Sequence, residues 1–174
     1  MNETAEQILD AAQTMIRDGG YHAFSFRQIA DHLDIKGASV HYHFPTKEDL
    51  GTAVAIRYTE RFLEALGEPT SQSDPIKHYI SLFRNALESD HRACLCGILA
   101  AESSRLPDTL RETLQSFGSR NVEWLIGALK SKHAKWPKKR LHEMATVVFS
   151  ALEGAMTFAP STKSQSTSKR PAIV

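Results

Sequence analysis

Residues 25–50, reading SFRQIADHLDIKGASVHYHFPTKEDL, constrain the fold more than any other part of the chain. Ser25 can offer its side-chain oxygen to the free backbone N–H groups at the start of a helix. The apolar positions that follow at helical spacing are Ile29, Ala30 and Leu33. A second helix of about two turns fits positions 36–43, but a helix that short is stable only when it packs on a neighbour. The stretch therefore predicts two helices joined by a tight turn.

Local signals mark where these helices stop and where a third begins. Asp34 stands at the turn and must adopt a left-handed or bent backbone, which Asp tolerates moderately well. Pro45 breaks the chain after the second helix. Thr46 and Asp49 have the spacing of a capping box, so a third helix is predicted to begin at Lys47.

This arrangement resembles the helix-turn-helix of the TetR family of transcriptional repressors. The chain departs from the family pattern at Asp34, where Gly is usual, and at positions 41–44, where the family usually has Tyr-x-x-Phe. The resemblance implies an all-α fold, in which an N-terminal three-helix DNA-binding domain precedes a C-terminal helical bundle for dimerisation and effector binding. The matching positions are Ser25, Arg27, Ile29, Ala30, Ile35, Ser39, Val40, Phe44, Lys47, Glu48 and Leu50.

A recognition helix needs small or short polar side chains at its N-terminal end, so that its backbone approaches the major groove and a few donors reach base edges. The residues that meet this need are Lys36, Gly37, Ala38, Ser39 and His41. We expect the residues that follow, Tyr42, His43 and Lys47, to contact phosphates. Further DNA-binding residues are expected where the preceding helix begins, at Ser25, Arg27 and Gln28.

Helical periodicity continues through the rest of the chain, without strand-like alternation. Further helices are predicted over 3–18, 47–66, from 75, around 94–99, from 108 to about 130, and over 137–158. A polar stretch at 67–74 connects two of them, and a turn is predicted at 89–92. The predicted organisation is a DNA-binding domain at 1–46, a ligand-binding and dimerisation domain at 47–159, and a disordered Ser-, Thr- and Lys-rich tail at 160–174.

The last two predicted helices have wide apolar arcs. One short recognition helix reads too few base pairs to be selective in a genome, so a regulator of this kind needs two copies. The resemblance implies that the final helices form the homodimer. The predicted dimerisation residues are Trp124, Leu125, Leu141, Met144, Val148, Ala151, Leu152, Ala155 and Met156.

Other apolar residues of the C-terminal helices either fill a core or line a pocket, and the resemblance favours a pocket for a small effector. Glu102 is a candidate to face a polar or cationic group of that effector, with an exposed or ion-paired carboxylate as the alternative. The predicted pocket residues are Tyr79, Phe83, Leu87, Cys96, Leu99, Glu102, Phe117, Trp124 and Phe149.

Cys94 and Cys96 permit three interpretations. Free cysteines commonly behave as small buried hydrophobes. A thiol switch needs one accessible sulfur of low pKa. A metal site would add His91, but on one helix positions 94 and 96 lie about 200° apart, which argues against a shared ion. We favour the buried interpretation and expect no metal.

Composition narrows the class of protein. The 174 residues have a formal net charge of +1, so total charge does not indicate a nucleic-acid partner, although positions 35–47 contain basic residues and no acid. No apolar run reaches the roughly 20 residues that cross a bilayer, and we expect a cytoplasmic protein.

No nucleophile–base or carboxylate pair suggests an enzyme, and no cofactor is expected. The sequence predicts a homodimeric repressor released from a palindromic operator by a small-molecule inducer, with a thiol or metal sensor, or a helical enzyme, as alternatives.

Overall fold

The computed structural model describes the backbone of residues 3–90 and 93–162, and the side chains of 3–87 and 93–158. Within these ranges the chain forms α-helices joined by short loops and single 3-10 turns. The helices are α1 (Glu3–Gly19), α2 (Phe26–Leu33), α3 (Gly37–His43), α4 (Lys47–Leu66), α5 (Pro75–Asp90), α6 (Leu95–Ala101), α7 (Asp108–Lys132) and α8 (Lys138–Thr162). The all-α prediction is confirmed.

The first three helices pack into a small unit with its own apolar centre. The side chains that fill this centre, each at most 1% exposed, are Ile8, Leu9, Ile16, Phe24, Ile29 and Val40. Leu50 at the start of α4 closes the unit from the opposite side and is fully buried. Because α2 and α3 are each about two turns long, this shared burial is what stabilises them.

The predicted local signals are confirmed. Ser25 Oγ accepts a hydrogen bond from the Gln28 backbone N–H, with an N–O distance of 3.3 Å. Asp34 has a left-handed backbone, with φ of 53°. Thr46 and Asp49 form a reciprocal capping box at the start of α4. The sharp turn between α2 and α3 therefore follows from local chemistry at a few positions.

A buried guanidinium joins α1 to α4. Arg57, whose side chain is 8% exposed, places Nη1 2.8 Å from Glu6 Oε2 and Nη2 2.7 Å from Asp10 Oδ1. Its Nη2 also donates to Gln13 Oε1 at 3.3 Å. Since α4 continues from the N-terminal unit into the C-terminal bundle, this pairing fixes the direction in which α4 leaves that unit.

The C-terminal bundle has an aromatic centre with one internal polar network. Tyr79 is fully buried, and its hydroxyl donates to Asn121 Oδ1 at 2.7 Å. The Asn121 amide donates in turn to the Phe117 carbonyl oxygen at 2.8 Å. Trp124 stacks on Tyr79 with ring centroids 5.4 Å apart and donates its indole N–H to the Gly67 carbonyl oxygen at 2.6 Å. These bonds satisfy the polar atoms that the aromatic residues bring into the core.

Two predicted boundaries differ from the structure. Helix α5 continues to Asp90, so residues 89–90 are helical where a turn was predicted, and residues 91–92 lie outside the described part of the chain. Helix α8 extends to Thr162, beyond the predicted end near 158. The rest of the predicted disordered tail, 163–174, lies outside the described residues. Within the described ranges, no helix has the length and apolar character needed to cross a membrane.

Candidate DNA-binding surface, effector cavity and dimer face

Helix α3 has one buried face and one open face. Val40 is fully buried and holds α3 against α1 and α2. Lys36, Gly37, Ala38 and His41 are exposed, and Ser39 and His43 are half-buried. A Cβ atom added to Gly37 would meet nothing within 4 Å, so the first turn of α3 is open to close approach. Another surface can therefore approach the α3 backbone closely at this point.

Tyr42 is the most exposed of the large hydrophobic side chains described, at 83%. Its ring contacts the half-buried His43 with centroids 5.1 Å apart. The neighbouring His41 ring packs against Phe26 at 4.6 Å, and its Nδ1 lies 3.4 Å from the Pro45 carbonyl oxygen. The Tyr42 hydroxyl therefore extends beyond the protein, whereas His41 is held partly by its own unit.

The predicted DNA-binding residues of α2 lie beside this open face. Arg27 and Gln28 are exposed at the start of α2, and Arg27 Nε lies 3.8 Å from Asp31 Oδ2 in a solvated pair. Ser25 Oγ donates to Gln28 Oε1 at 2.8 Å, so these two side chains are already paired with one another. An exposed pair contributes little to stability, so Arg27 is available to another negative group.

Lys47, which was predicted to contact phosphate, packs against its own N-terminal unit. Its ammonium donates to the Phe24 carbonyl oxygen at 2.7 Å and lies over the rings of Phe24 and Tyr21, 4.5 and 4.9 Å from their centroids. This partial burial lowers the pKa of Lys47. Lys47 therefore helps to hold the N-terminal unit together, and this hydrogen bond favours a structural role over the predicted phosphate contact.

A cavity of about 350 Å³ opens between α6, α7 and α8. Cys96, Phe117 and Phe149, all predicted pocket residues, lie in its wall. The other wall residues are Gly97, Ala100, Leu114, Gly118, Ser150, Glu153, Gly154 and Thr157. The wall is thus largely apolar with a few polar groups, as in small-molecule sites generally.

The remaining predicted pocket residues lie elsewhere. Those that fill the core and are at most 9% exposed are Tyr79, Phe83, Leu99 and Trp124. Leu87 is half-buried and does not line the cavity. Glu102 points away from it, because its Oε2 accepts a hydrogen bond from the Tyr21 backbone N–H at 3.1 Å. None of these residues lines this cavity, because apolar spacing does not distinguish a packed aromatic side chain from a lining one.

Glu153 is the charged residue of the cavity wall, and it is not among the predicted pocket residues. Both carboxylate oxygens are inaccessible to solvent, and no N–H or O–H group of the described residues donates to either of them. Burial raises the pKa of Glu153, and the neighbouring Cys94 thiol opposes that rise. The available signal was a single acid within the apolar stripe of α8, between Leu152 and Gly154.

The two cysteines occupy the buried positions that their hydrophobic interpretation predicts. Cys94 and Cys96 are free thiols, 3% and 2% exposed. Burial, reinforced by the nearby Glu153 carboxylate, raises the pKa of Cys94 to about 12. Burial and the adjacent Cys94 also raise the pKa of Cys96. His91, the third member of the metal hypothesis, lies outside the described residues.

The exposed apolar face of α8 only partly matches the predicted dimerisation set. Leu125, Leu141 and Met156 are at most 4% exposed and Trp124 is 9% exposed, so these four belong to the core of one protomer. Met144, Ala151 and Ala155 are exposed, and Val148 and Leu152 are half-buried. Val147 and Phe158, which are not in the predicted set, are 60% and 71% exposed. The exposed residues recur along one side of α8 at helical spacing: Met144, Val147, Ala151, Ala155 and Phe158.

A shallow groove runs between α7 and α8 beside this stripe. Val122 and Ile126 of α7 and Phe149 of α8 provide its apolar surface. Ser150 also lines the groove, and one turn later Gly154 leaves open space where a Cβ atom would stand. Small side chains at these positions allow another helix to approach α8 closely.

Comparison with known proteins identifies the whole arrangement. Residues 8–54 match the family described as bacterial regulatory proteins, tetR family. The crystal structure of a TetR transcriptional regulator from Legionella pneumophila superposes with a TM-score of 0.86 and 31% identity, covering 93% of this chain and 89% of the other. The chain belongs to the TetR family. The protein is thus a DNA-binding transcriptional regulator and not an enzyme.

Other relatives agree with this assignment. The HTH-type regulator YxaF of Bacillus subtilis is 25% identical over 163 residues, which cover 88% of this chain and 83% of YxaF. The HTH-type transcriptional repressor KstR2 of Mycolicibacterium smegmatis is 31% identical over 108 residues, 59% of this chain and 51% of KstR2. The fold is also shared with Bacillus subtilis FadR in complex with stearoyl-CoA, at a TM-score of 0.66 and 19% identity, over 91% of this chain and 89% of FadR.

Proposed function

We propose that this TetR-family regulator is a homodimeric repressor that binds a two-fold symmetric operator and leaves it when a small inducer occupies the cavity between α6, α7 and α8. The open face of α3 is the observation that carries the proposal. Tyr42 is 83% exposed there, on a helix whose other face is fixed by the fully buried Val40. A rigid helix with exposed small, polar and aromatic side chains has the form required to enter a major groove.

The proposed DNA contacts follow from exposure. Residues at the open start of α3, Lys36, Gly37, Ala38 and Ser39, are assigned to base edges, and Tyr42, His43 and Arg27 to phosphates. Ser25 and Gln28 support the same surface through their mutual hydrogen bond. His41, packed on Phe26, contributes by holding α3 in place.

Dimerisation through α7 and α8 is supported by the apolar surface that one protomer leaves uncovered. Val147 and Phe158 expose more than half of their surface on α8, and the groove beside them is lined by Val122 and Ile126. Covering this surface with the same surface of a second copy gives a two-fold dimer. Two recognition helices related by that axis require a palindromic site.

Control by an effector is supported by the position of the cavity relative to the DNA-binding unit. Cys96, Gly97 and Ala100 of α6 line the cavity. Glu102, immediately after α6, bonds to Tyr21 of the N-terminal unit. A ligand that favours another position of α6 therefore favours another position of the N-terminal unit, and so lowers affinity for a fixed operator. Repression agrees with the name of KstR2, and a small-molecule effector agrees with the acyl-CoA complex described for FadR.

Selection of bound sequences from a random double-stranded DNA pool tests the proposal. We expect a site with two inverted halves whose centres lie about one helical turn, or a multiple of it, apart. Tyr42→Ala should weaken binding to the selected site, whereas Tyr79→Phe, a core change far from α3, should leave the selected sequence unaltered. An asymmetric consensus, or no consensus, would contradict the proposal of a two-fold repressor.

A further inference from the structure

We infer that the effector of this regulator is a small organic cation, an aromatic or aliphatic body with a protonated amine, whose ammonium group pairs with Glu153. The inference rests on the proposed function, because it assigns the chemistry of the ligand in the cavity between α6, α7 and α8. It depends on three features of that cavity: a buried carboxylate without an N–H or O–H donor, aromatic walls, and a lining whose described residues carry no positive charge.

The carboxylate is buried without an N–H or O–H donor among the described residues. Both oxygens of Glu153 are shielded from solvent, and the group beside them is the Cys94 thiol, a weak S–H donor. The carboxylate packs against Gly97, where an added Cβ atom would lie only 2.6 Å from Oε2. A buried acceptor without a donor costs stability, so a group retained in this state indicates a partner supplied from outside the chain.

The walls around Glu153 suit a cation with an apolar body. Phe117 and Phe149 meet edge to face with centroids 5.9 Å apart, and both line the same cavity. Aromatic faces attract ammonium groups, and the apolar surface of Leu114 and Ala100 accepts the carbon skeleton. Ser150 and Thr157 are the other polar side chains in the wall, and both are neutral.

The charges around the cavity favour a cation over an anion. The described residues of the lining include no Arg, Lys or His, so an anionic ligand would meet the Glu153 carboxylate without compensation from them. The charge of Glu153 raises the pKa of the Cys94 and Cys96 thiols and of the Tyr79 phenol. None of these supplies a positive charge. An amine entering the cavity thus provides both the donor and the charge that Glu153 lacks.

Three probes with one carbon skeleton separate the alternatives. We would measure binding of 3-phenylpropylamine, 3-phenylpropan-1-ol and 3-phenylpropanoate to the full-length protein by calorimetry at pH 8. The amine should bind at least about tenfold more tightly than the alcohol, because a charge-assisted hydrogen bond is roughly twice as strong as a neutral one. The carboxylate should bind most weakly. This order is measured on the unmodified protein and needs no variant.

Glu153→Gln then locates the preference. This substitution keeps the side-chain shape but removes the charge. The affinity of the variant for the amine should therefore be within about threefold of its affinity for the alcohol. Glu143→Gln is the matched control, since Glu143 lies on the same helix, is exposed, and forms a solvated ion pair with Lys139 at 3.9 Å. That control should retain the full preference for the amine.

Several results would overturn the inference: an alcohol or carboxylate that binds as tightly as the amine, an amine that does not bind at millimolar concentration, or a preference that persists in a folded Glu153→Gln protein. Selection of an operator from random DNA is independent of all three. A protein that selects a two-fold site but prefers the alcohol would refute this inference alone. One that binds the amine but selects no site would refute the proposed repressor.

Discussion

Glu102 Oε2 accepts a hydrogen bond from the backbone N–H of Tyr21 at 3.1 Å, across 81 positions of sequence. Gly20 makes this approach feasible, because a Cβ atom there would lie 1.9 Å from the other carboxylate oxygen. Before α6, Arg17 Nε donates to the Ala93 carbonyl oxygen at 3.1 Å. The helix that lines the cavity is therefore attached to the N-terminal unit on both sides.

Removing the Glu102 carboxylate should loosen this attachment. Glu102→Ala leaves the Tyr21 N–H without its acceptor, and we expect a loss of unfolding free energy of about 1–2 kcal/mol. Amide exchange at Tyr21 should accelerate. Glu64→Ala, at an exposed position of α4, is the control and should change neither quantity. If the rate of amide hydrogen exchange at Tyr21 is the same in Glu102→Ala as in the parent, the Glu102–Tyr21 hydrogen bond does not hold α6 to the N-terminal unit.

A second prediction concerns Lys47, which donates to the Phe24 carbonyl oxygen and lies over two rings. Lys47→Ala should lower the free energy of unfolding by about 1–2 kcal/mol, because it leaves that carbonyl unpaired and removes the cation from the rings. The salt dependence of operator binding by the folded protein should stay the same. Chemical denaturation and titrations at several salt concentrations measure the two effects.

Lys36→Ala provides the contrasting variant, since Lys36 is exposed at the start of α3. It should preserve stability to within about 0.5 kcal/mol, as surface substitutions usually do, while weakening operator binding. The opposite pattern would be a Lys47→Ala protein of unchanged stability, whose operator affinity depends less steeply on salt concentration, by about one unit of slope per subunit. That result would show that Lys47 contacts a phosphate.

The contrast between these lysines illustrates which features the sequence could predict. Helix caps and turns depend on residues a few positions apart, and so Ser25, Asp34 and Thr46 could be assigned directly. The environment of Lys47 depends on Phe24 and Tyr21, which reach it only after α4 packs on the N-terminal unit. Sequence spacing contains no information about that packing.

The cavity was less predictable for the same physical reason. Tyr79 and Phe117 belong to one aromatic pattern, yet Tyr79 is sealed in the core by Asn121 and Trp124 while Phe117 also borders the cavity. Which residues remain at a gap depends on how α6, α7 and α8 fit together. Glu153 becomes a candidate ligand-binding residue only when the structure shows which donors surround its carboxylate.

The left-handed turn residue gives a third prediction. Asp34 has φ of 53°, a conformation that costs most L-residues roughly 1 kcal/mol or more and that Gly adopts freely. Asp34→Gly should therefore raise the free energy of unfolding by about 0.5–1 kcal/mol, with α2 and α3 unchanged. Asp34→Ala, which lacks the local tolerance of Asp, should lower it. A destabilised Gly variant would show that the Asp34 side chain has a structural role of its own.

The buried thiols give a fourth prediction. Cys94→Ser and Cys96→Ser should each lower stability by about 1–3 kcal/mol, because each places a poorly paired hydroxyl where the thiol is at most 3% exposed. Iodoacetamide should leave the folded parent protein on its operator at pH 7.5, since thiols with raised pKa react slowly. Release of the parent by alkylation, abolished in Cys96→Ser, would instead identify a thiol sensor.

The last prediction concerns the pH dependence of stability that Glu153 imposes. Its pKa is raised by burial in the folded protein, whereas in the unfolded chain a Glu carboxyl titrates near about 4.3. Below that value the group is neutral in both states and imposes no charge cost. As pH rises through the folded pKa, the carboxylate ionises in its buried position, and the folded state loses stability relative to the unfolded state.

Glu153→Gln lacks this titration. The quantity to compare is the unfolding free energy of the variant minus that of the parent. This difference should favour the variant most near pH 8 and should decrease as the pH is lowered towards about 4.3. Urea denaturation at several pH values measures it, with Glu143→Gln as an exposed control that should show no comparable trend. Groups common to the two proteins cancel in the difference. A difference independent of pH would mean that Glu153 has its unfolded pKa in the folded protein, with a carboxylate as well solvated as that of Glu143.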